Sequence, residues 1–399
     1  MKDTNPIDAM IDFITERYSL RYNTLTTCAE YRQTGDGTDA YRPLDTRTRK
    51  RITLEVQRNG IEVSQNDIAN YIDSDYIRSY NPIDTYLDTC EGIWDGKDHI
   101  AELAATVPTD TPMWKEWFTT WFIAMVDQWR HRPTRLYGNS VAPLLISPQG
   151  YNKSTFCRRL LPKELAWGYT DNLAVSERRQ MLNAMSQQLL INLDEFNQIS
   201  ARLQQGFLKN IMQLPTVKLK RPYGTRLEDL PRTASFIATS NMTDILSDPS
   251  GNRRFIGVEL TAPIDISNIP DHRQLYAQAL QMLRNGQRSW FDKKETERIM
   301  EWNQRFETRE PIEQYFRMFF TPARLSETTG KETEEENTTK AEWLSAAEIF
   351  DTLKSKVGSS LKVSSLMNFG RKLSNMPDLE RRRFNTGMRY LVKHIERQQ

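Results

Sequence analysis

The sequence predicts an α/β protein with a parallel sheet covered on both faces and a phosphate-binding loop at one strand end. It adds a helical N-terminal region and a basic C-terminal unit of winged-helix type. Three observations carry this reading. First, apolar runs at 143–146, 188–193 and 234–239 are separated by stretches of helical periodicity. Second, each run ends in polar residues, at the end of the strand where such sheets bind ligands. Third, an acidic stretch poor in apolar residues, 325–342, precedes a strongly basic segment.

The first run leads into Ser147-Pro148-Gln149-Gly150-Tyr151-Asn152-Lys153-Ser154-Thr155, and 156–161 then reads as a helix. Backbone N–H groups and a helix start suit an anion, a lysine reaches its terminal phosphates, and a hydroxyl holds Mg²⁺. The nucleotide-binding residues are therefore Gln149, Gly150, Tyr151, Asn152, Lys153, Ser154 and Thr155. Ser147 and Asn152 stand where the G-x-x-x-x-G-K-[ST] pattern has glycine. Asparagine tolerates positive φ better than other non-glycine residues, so Asn152 is expected to make the turn. On these grounds a glycine at 152 should be tolerated and raise turnover.

The second run ends in Asp194-Glu195. An acidic residue there needs solvent or a cation, and Mg²⁺ on a nucleotide supplies one. Ser154, Thr155 and Asp194 are the metal-holding residues, and Glu195 is the general base for water. The third run ends at Asn241, placed to bond the γ-phosphate or orient the water. Between them, Lys218, Lys220, Arg221 and Tyr223 form a basic hairpin with one ring, a composition that suits single-stranded DNA. Arg253 and Arg254 follow a Gly-Asn turn and can supply a transition-state cation in cis or to a neighbouring subunit.

Earlier in the chain, 7–18 reads as a helix, and strands are expected at 20–24, 28–32 and 41–44, with Gly35-Asp36-Gly37 as a turn. Ser64 caps a helix carrying Ile68, Tyr71 and Ile72, and Asn81-Pro82 opens another. Residues 1–75 thus form a small mixed α/β region without visible chemistry. Residues 76–136 are a helical lead-in. There Trp114, Trp117, Trp121 and Trp129 share a helix, read as core rather than as a base-stacking surface.

Residues 137–262 are the core and 263–324 a helical lid or connector, with helices at 275–283 and 295–306. Residues 325–342 are a disordered linker by composition. In 343–399, Ser345-x-x-Glu348 is a capping box, and a second helix carries Leu366, Phe369 and Leu373. Arg381, Arg382 and Arg383 then open a β-hairpin that turns at Asn385-Thr386-Gly387. From 354 to 399 there are eleven Lys/Arg against three Asp/Glu, a surplus that a whole-chain charge of +2 conceals.

Composition limits the classes. With 38% hydrophobic and 27% charged residues, 399 residues build several soluble domains. Three separated cysteines and four histidines fit a reducing cytoplasm and no structural zinc. The N-terminus has no apolar signal region, and 113–129 is too polar to span a bilayer.

Taken in order, Gln149-Gly150-x-x-Lys153-Ser154-Thr155, Asp194-Glu195, Arg221-Pro222-x-Gly224, Asn241 and Gly251-Asn252-Arg253-Arg254-Phe255 resemble the virulence-associated E (VirE) family. Tyr80-Asn81-Pro82-Ile83 and Trp94-Asp95-Gly96-Lys97 are similar to its lead-in. The resemblance covers roughly residues 75–265. It implies a P-loop ATPase of the AAA+ class, related to superfamily 3 helicases and to primase–helicases of mobile elements and phages. It further implies a homo-oligomeric ring, ATP with Mg²⁺, and Lys218, Lys220 and Arg221 in a DNA pore. In that frame Asp194 and Glu195 are Walker B, Asn241 is sensor 1, and Arg253 or Arg254 is an arginine finger. No primase centre is visible; a separate primase chain could supply one, which the sequence does not show. Two other readings stay open: a nucleotide-gated DNA-binding protein with weak turnover, and a signalling ATPase that oligomerises without translocating.

Overall fold

The computed structural model describes residues 5–35, 37, 40–130, 137–220, 226–247, 252–307, 311–323, 341–357 and 366–395. The chain forms two units, 1–307 and 308–399.

The first unit opens with α1 (Pro6–Arg17), β1 (Tyr18–Asn23), β2 (Cys28–Gln33), β3 (Arg42–Pro43), α2 (Thr46–Arg58), α3 (Gln65–Ile72) and β4 (Ser79–Tyr80). The sheet order is β3-β2-β1-β4. Its core is a cluster of Met10, Ile14, Ile52, Val56 and Ile68. Ser64 and Asp67 form the expected cap of α3 as a full capping box. The sequence reading misses α2. Its apolar residues Ile52, Leu54 and Val56 alternate as in a strand, but only Ile52 and Val56, one turn apart, are buried, and Leu54 is 60% exposed. Asp45 caps that helix by accepting from the Thr48 N–H at 2.7 Å.

The lead-in is α4 (Pro82–Cys90), α5 (His99–Ala105) and α6 (Trp114–Trp129). All four tryptophans of α6 are buried. Each such ring removes roughly 150–250 Å² from water, so the core reading of the stripe holds. Among the described residues, no helix is long and apolar enough to cross a membrane.

The chain continues through β5 (Ala142–Ile146), α7 (Lys153–Arg159), β6 (Tyr169–Thr170), α8 (Arg178–Gln187) and β7 (Leu190–Leu193). A helical stretch at 203–211, ending as α9 (Lys209–Ile211), leads to the hairpin β8 (Thr216–Leu219) and β9 (Glu228–Pro231). Then come β10 (Ser235–Ser240), β11 (Phe255–Glu259), α10 (His272–Arg284) and α11 (Lys293–Asn303). The five-stranded sheet has the order β11-β5-β10-β7-β6, and every pairing in it is parallel.

Alternate residues feed two cores. Leu145, Leu190, Ile237 and Val258 pack on the face with α6, while Leu144, Ile191, Phe236 and Ala238 pack on the face with Met181 and Met185 of α8. Burial on both faces is why these strands read as unbroken apolar runs. The chain leaves β5 for the far edge, returns through β7 to β10, and crosses to β11. The order therefore reverses beside β5, and the crevice at the carboxyl ends of β5 and β10 is the expected ligand position.

Of the helices after 263, α10 and α11 pack into the first unit. Tyr276 of α10 stacks on Trp129 with ring centroids 5.3 Å apart. Its hydroxyl donates to the Leu160 carbonyl at 2.8 Å. Asn303 of α11 donates to the carbonyls of Asn252 and Phe255 at 2.8 and 2.6 Å. Both helices are thus part of the core of the first unit, and the boundary falls at 307/308 rather than 324. Amphipathic spacing shows that a helix buries a face, not what covers it.

The second unit holds α12 (Pro311–Phe319), β12 (Phe320–Pro322), β13 (Glu342–Ser345), α13 (Ala346–Val357), α14 (Leu366–Asn375), β14 (Arg381–Phe384) and β15 (Gly387–His394). β15 pairs antiparallel with β12, β13 and β14. Phe316, Phe320, Ile349, Leu353, Phe369 and Leu373 close its core. Ser345 and Glu348 cap α13 reciprocally, as the sequence suggests, at 2.7 and 3.3 Å. Most of the expected linker, 325–340, lies outside the described residues, and Glu342, its last residue, opens β13 by pairing with Val392.

Candidate functional site

The loop after β5 turns twice through the left-handed region, at Gly150 (φ 85°) and Asn152 (φ 63°). Asn152 makes the turn at the position of the second glycine, and α7 begins at the next residue. Lys153 is only 7% exposed. Its ammonium donates to the Ser147 carbonyl (2.7 Å), Ser147 Oγ (2.9 Å), the Pro148 carbonyl (3.0 Å) and Asn241 Oδ1 (3.0 Å). Burial pushes the Lys153 ammonium below the ordinary lysine range, and the nearby Asp194 carboxylate works against that shift.

Asp194 and Glu195 follow β7 and are exposed. Asp194 Oδ1 accepts from the Thr239 hydroxyl on the neighbouring strand β10. Glu195 sits at φ 49°, a left-handed conformation costly for a glutamate, and its carboxylate accepts from Gln198. The turn is held from both sides: by the buried Phe196 ring against Phe255, with centroids 4.7 Å apart, and by the Gln198 bond.

One cavity of about 300 Å³ is lined by 149–155, Asp194, Glu195, Thr239, Ser240 and Asn241. All the nucleotide-loop residues expected from sequence are therefore brought together with both acids and the asparagine. Ser154 and Thr155 lie half-buried on the first turn of α7. Sequence reasoning missed Ser147 as a lysine acceptor and Thr239 as the partner of Asp194. Thr239 carries a signal only when β10 is known to lie beside β7, and strand order is not written in local pattern.

Ser154, Thr155 and Asp194 offer hard oxygen donors, which suit Mg²⁺. Among the described residues there is no cluster of three or more His, Cys, Asp or Glu side chains for a metal. This donor set fits an ion that arrives with phosphate oxygens rather than one held by protein alone.

Arg253 and Arg254 do not join this cavity. They precede β11, whose first residue pairs with the first residue of β5, so they lie at the other end of the sheet. A five-residue strand spans roughly 13 Å at ~3.3 Å per step. They line a separate cavity of 780 Å³ with Asp127, Asn139, Ser289 and Trp290. Neither arginine lines the cavity at Lys153, because the length of the β5–β11 pair separates the start of β11 from the end of β5.

The basic hairpin exists as β8 and β9. Lys218 is exposed, with its ammonium 3.8 Å from Asp229, and Lys220 is exposed. Arg221 and Tyr223 lie outside the described residues. In the second unit Arg381, Arg382 and Arg383 form an exposed strand, and Arg381 donates to the Ser374 carbonyl at the end of α14.

The architecture and this site define an α/β protein with a polar cavity at the switch point of a parallel sheet. The chain belongs to the virulence-associated protein E-like domain family, whose model matches residues 87–308, more than half of the sequence. A second model, a domain of unknown function from B. theta, matches 309–392, close to the extent of the second unit. No curated protein matches. Among solved structures, the chain is similar to apo structures of the C-terminal region of NrS-1. One has TM-score 0.49 at 12% identity, covering 99% of this chain and 100% of that one. Two A-form structures give 0.49 at 11% identity and 0.47 at 10%, each covering 98% of this chain and 99% and 100% of theirs.

Proposed function

We propose that this protein is a Mg²⁺-dependent ATPase that works on DNA as a helicase or translocase in replication of a mobile element or phage. The observation that carries this reading is convergence. Lys153, Asp194 and Asn241, which follow three neighbouring parallel strands, line one cavity together with Glu195. The sheet order, with β5 between β11 and β10 and the reversal beside it, supports a P-loop core. The order of helix, two strands, two helices and hairpin among the described residues of 311–394 supports a winged-helix unit.

In this reading Lys153 trades its loop carbonyls for the β- and γ-phosphates. The loop N–H groups hold phosphate oxygens. Ser154 or Thr155 and Asp194 would hold Mg²⁺, which neutralises charge on the phosphates. Glu195 takes the proton of the attacking water, and Asn241 orients that water or the γ-phosphate. Arg253, exposed at the other end of the sheet, serves the site of a neighbouring copy in a ring. Such a cation is worth roughly 10³–10⁵ in turnover in well-studied NTPases. Single-stranded DNA is the partner of the β8–β9 hairpin, and a primase on a separate chain would complete the replication role in the cytoplasm.

One observation favours a second reading. The Lys153 ammonium already has four oxygen acceptors and Glu195 already accepts from Gln198, so the site is internally satisfied. That suits a nucleotide-gated DNA-binding protein with slow turnover. Steady-state ATP hydrolysis with and without single-stranded DNA, for wild type beside Lys153→Ala, separates the two. DNA-stimulated turnover that disappears in Lys153→Ala supports the motor. Turnover equal in both proteins sinks the site, and ATP binding without turnover favours the gated binder.

A further inference from the structure

Between β11 and α10, residues 261–271 run beside the phosphate loop and α7 as a strap. Ile264 donates its backbone N–H to the Tyr151 carbonyl at 3.2 Å. The carbonyl of Ile264 in turn accepts from Asn152 Nδ2 at 3.0 Å. Further along, the Ile266 carbonyl accepts from Arg159, and the His272 ring lies 2.7 Å from the Arg159 carbonyl. On its other side the strap is anchored to the lead-in. Thr261 donates to the Pro108 carbonyl at 2.9 Å and Asp265 to the Thr106 carbonyl at 3.2 Å. Ile264 is 1% exposed, so the bond from Asn152 ends on buried backbone.

Asn152 therefore meets two demands at once. Its backbone stands at φ 63°, where most side chains are strained, and its amide donates across to the strap. Glycine meets the first demand and has no donor. An ionised aspartate also tolerates the left-handed region but only accepts. Alanine meets neither.

Resting on the nucleotide reading of the site, we propose that Asn152 is a positioning residue that clips the phosphate loop to the 261–271 strap. The clip holds the loop in its phosphate-binding shape before ligand arrives, which lowers the ordering cost of binding. It also passes the bound state of the loop to the strap and so to the start of α10. This reverses the expectation that glycine at 152 improves the site.

The test uses the full chain with Mg²⁺ and ADP, comparing wild type, Asn152→Gly and Asn152→Asp. ADP affinity is read by calorimetry, and hydrogen exchange of 261–271 is followed with and without saturating ADP. Asn152→Gly is expected to bind ADP about fivefold more weakly, the order of one neutral hydrogen bond. ADP should slow exchange of the strap in wild type and leave it unchanged in Asn152→Gly at saturation. Asn152→Asp, which keeps the backbone preference and loses the donor, should fall with Asn152→Gly. A merely structural bond would not remove the response of the strap to ligand. Equal ADP affinity in wild type and Asn152→Gly overturns the proposal, as does a strap that responds to ADP equally in both. If wild type binds no ADP, the nucleotide reading falls, and exchange without ligand judges the clip. Faster exchange in Asn152→Gly then retains the clip, and unchanged exchange removes it.

Discussion

The Lys153 ammonium lies 3.0 Å from Asn241 Oδ1, joining two residues 88 positions apart across the ends of β5 and β10. This bond places the cation of the loop and the amide of the third strand on the same wall of one cavity. On the nucleotide reading proposed above, a terminal phosphate seated there would compete with Asn241 for Lys153 and free the amide for the phosphate or the water.

That competition makes Asn241→Ala informative. Removing one preorganised polar group of this kind costs about 100-fold in kcat where it acts on the transition state. Asn241→Ala is expected to lower ATP turnover by about that factor while ADP affinity changes by less than about threefold. An unchanged kcat would mean that the amide serves only to park the lysine.

Glu195→Gln tests the base. The glutamine keeps the size of the side chain and an oxygen that accepts from Gln198, and loses proton affinity. Nucleotide binding should persist while turnover falls by roughly 10²–10⁴. Single-turnover hydrolysis beside equilibrium binding reads both, and a variant that hydrolyses like wild type would assign the base elsewhere.

The C-terminal hairpin predicts a graded response. Arg382 and Arg383 are exposed on β14, whereas Arg381 is engaged with the Ser374 carbonyl. Arg382→Ala with Arg383→Ala should reduce DNA affinity more than Arg381→Ala. On duplex, the slope of log affinity against log salt should flatten by up to about 0.9 for each phosphate that the variant no longer neutralises. Intrinsic ATPase should survive. If neither variant alters DNA binding, the second unit docks protein rather than DNA.

Packing supplies a stability prediction free of any functional assumption. A Cβ placed on Gly257 of β11 would come 2.3 Å from the Phe306 ring and 3.0 Å from Asn303 Oδ1. Neither neighbour can yield cheaply, because Phe306 is 1% exposed and Asn303 is fully buried. Gly257→Ala should cost about 1–3 kcal/mol. Chemical denaturation followed by tryptophan fluorescence checks this, and a neutral result would mean that α11 moves off the sheet freely.

The sequence by itself determined what is local. Apolar runs at 143–146, 188–193 and 234–239 named three of the five parallel strands, because a strand buried on both faces has no polar alternation to hide it. Asn152, Ser64 and Ser345 were legible as a left-handed turn and two helix caps, because each preference acts within a few residues. The residues gathered around the 300 Å³ cavity were mostly legible too, since each follows a strand at its carboxyl end. Tertiary structure alone decided what depends on which elements lie side by side. It placed Thr239 beside Asp194, Ile264 against Asn152, and Arg253 at the other end of the sheet from Lys153. It also put α10 and α11 inside the core of the first unit and gave β12 to the second. Side-chain partners set by strand order and helix packing are separated by tens of residues, and no local periodicity encodes a pairing of that range.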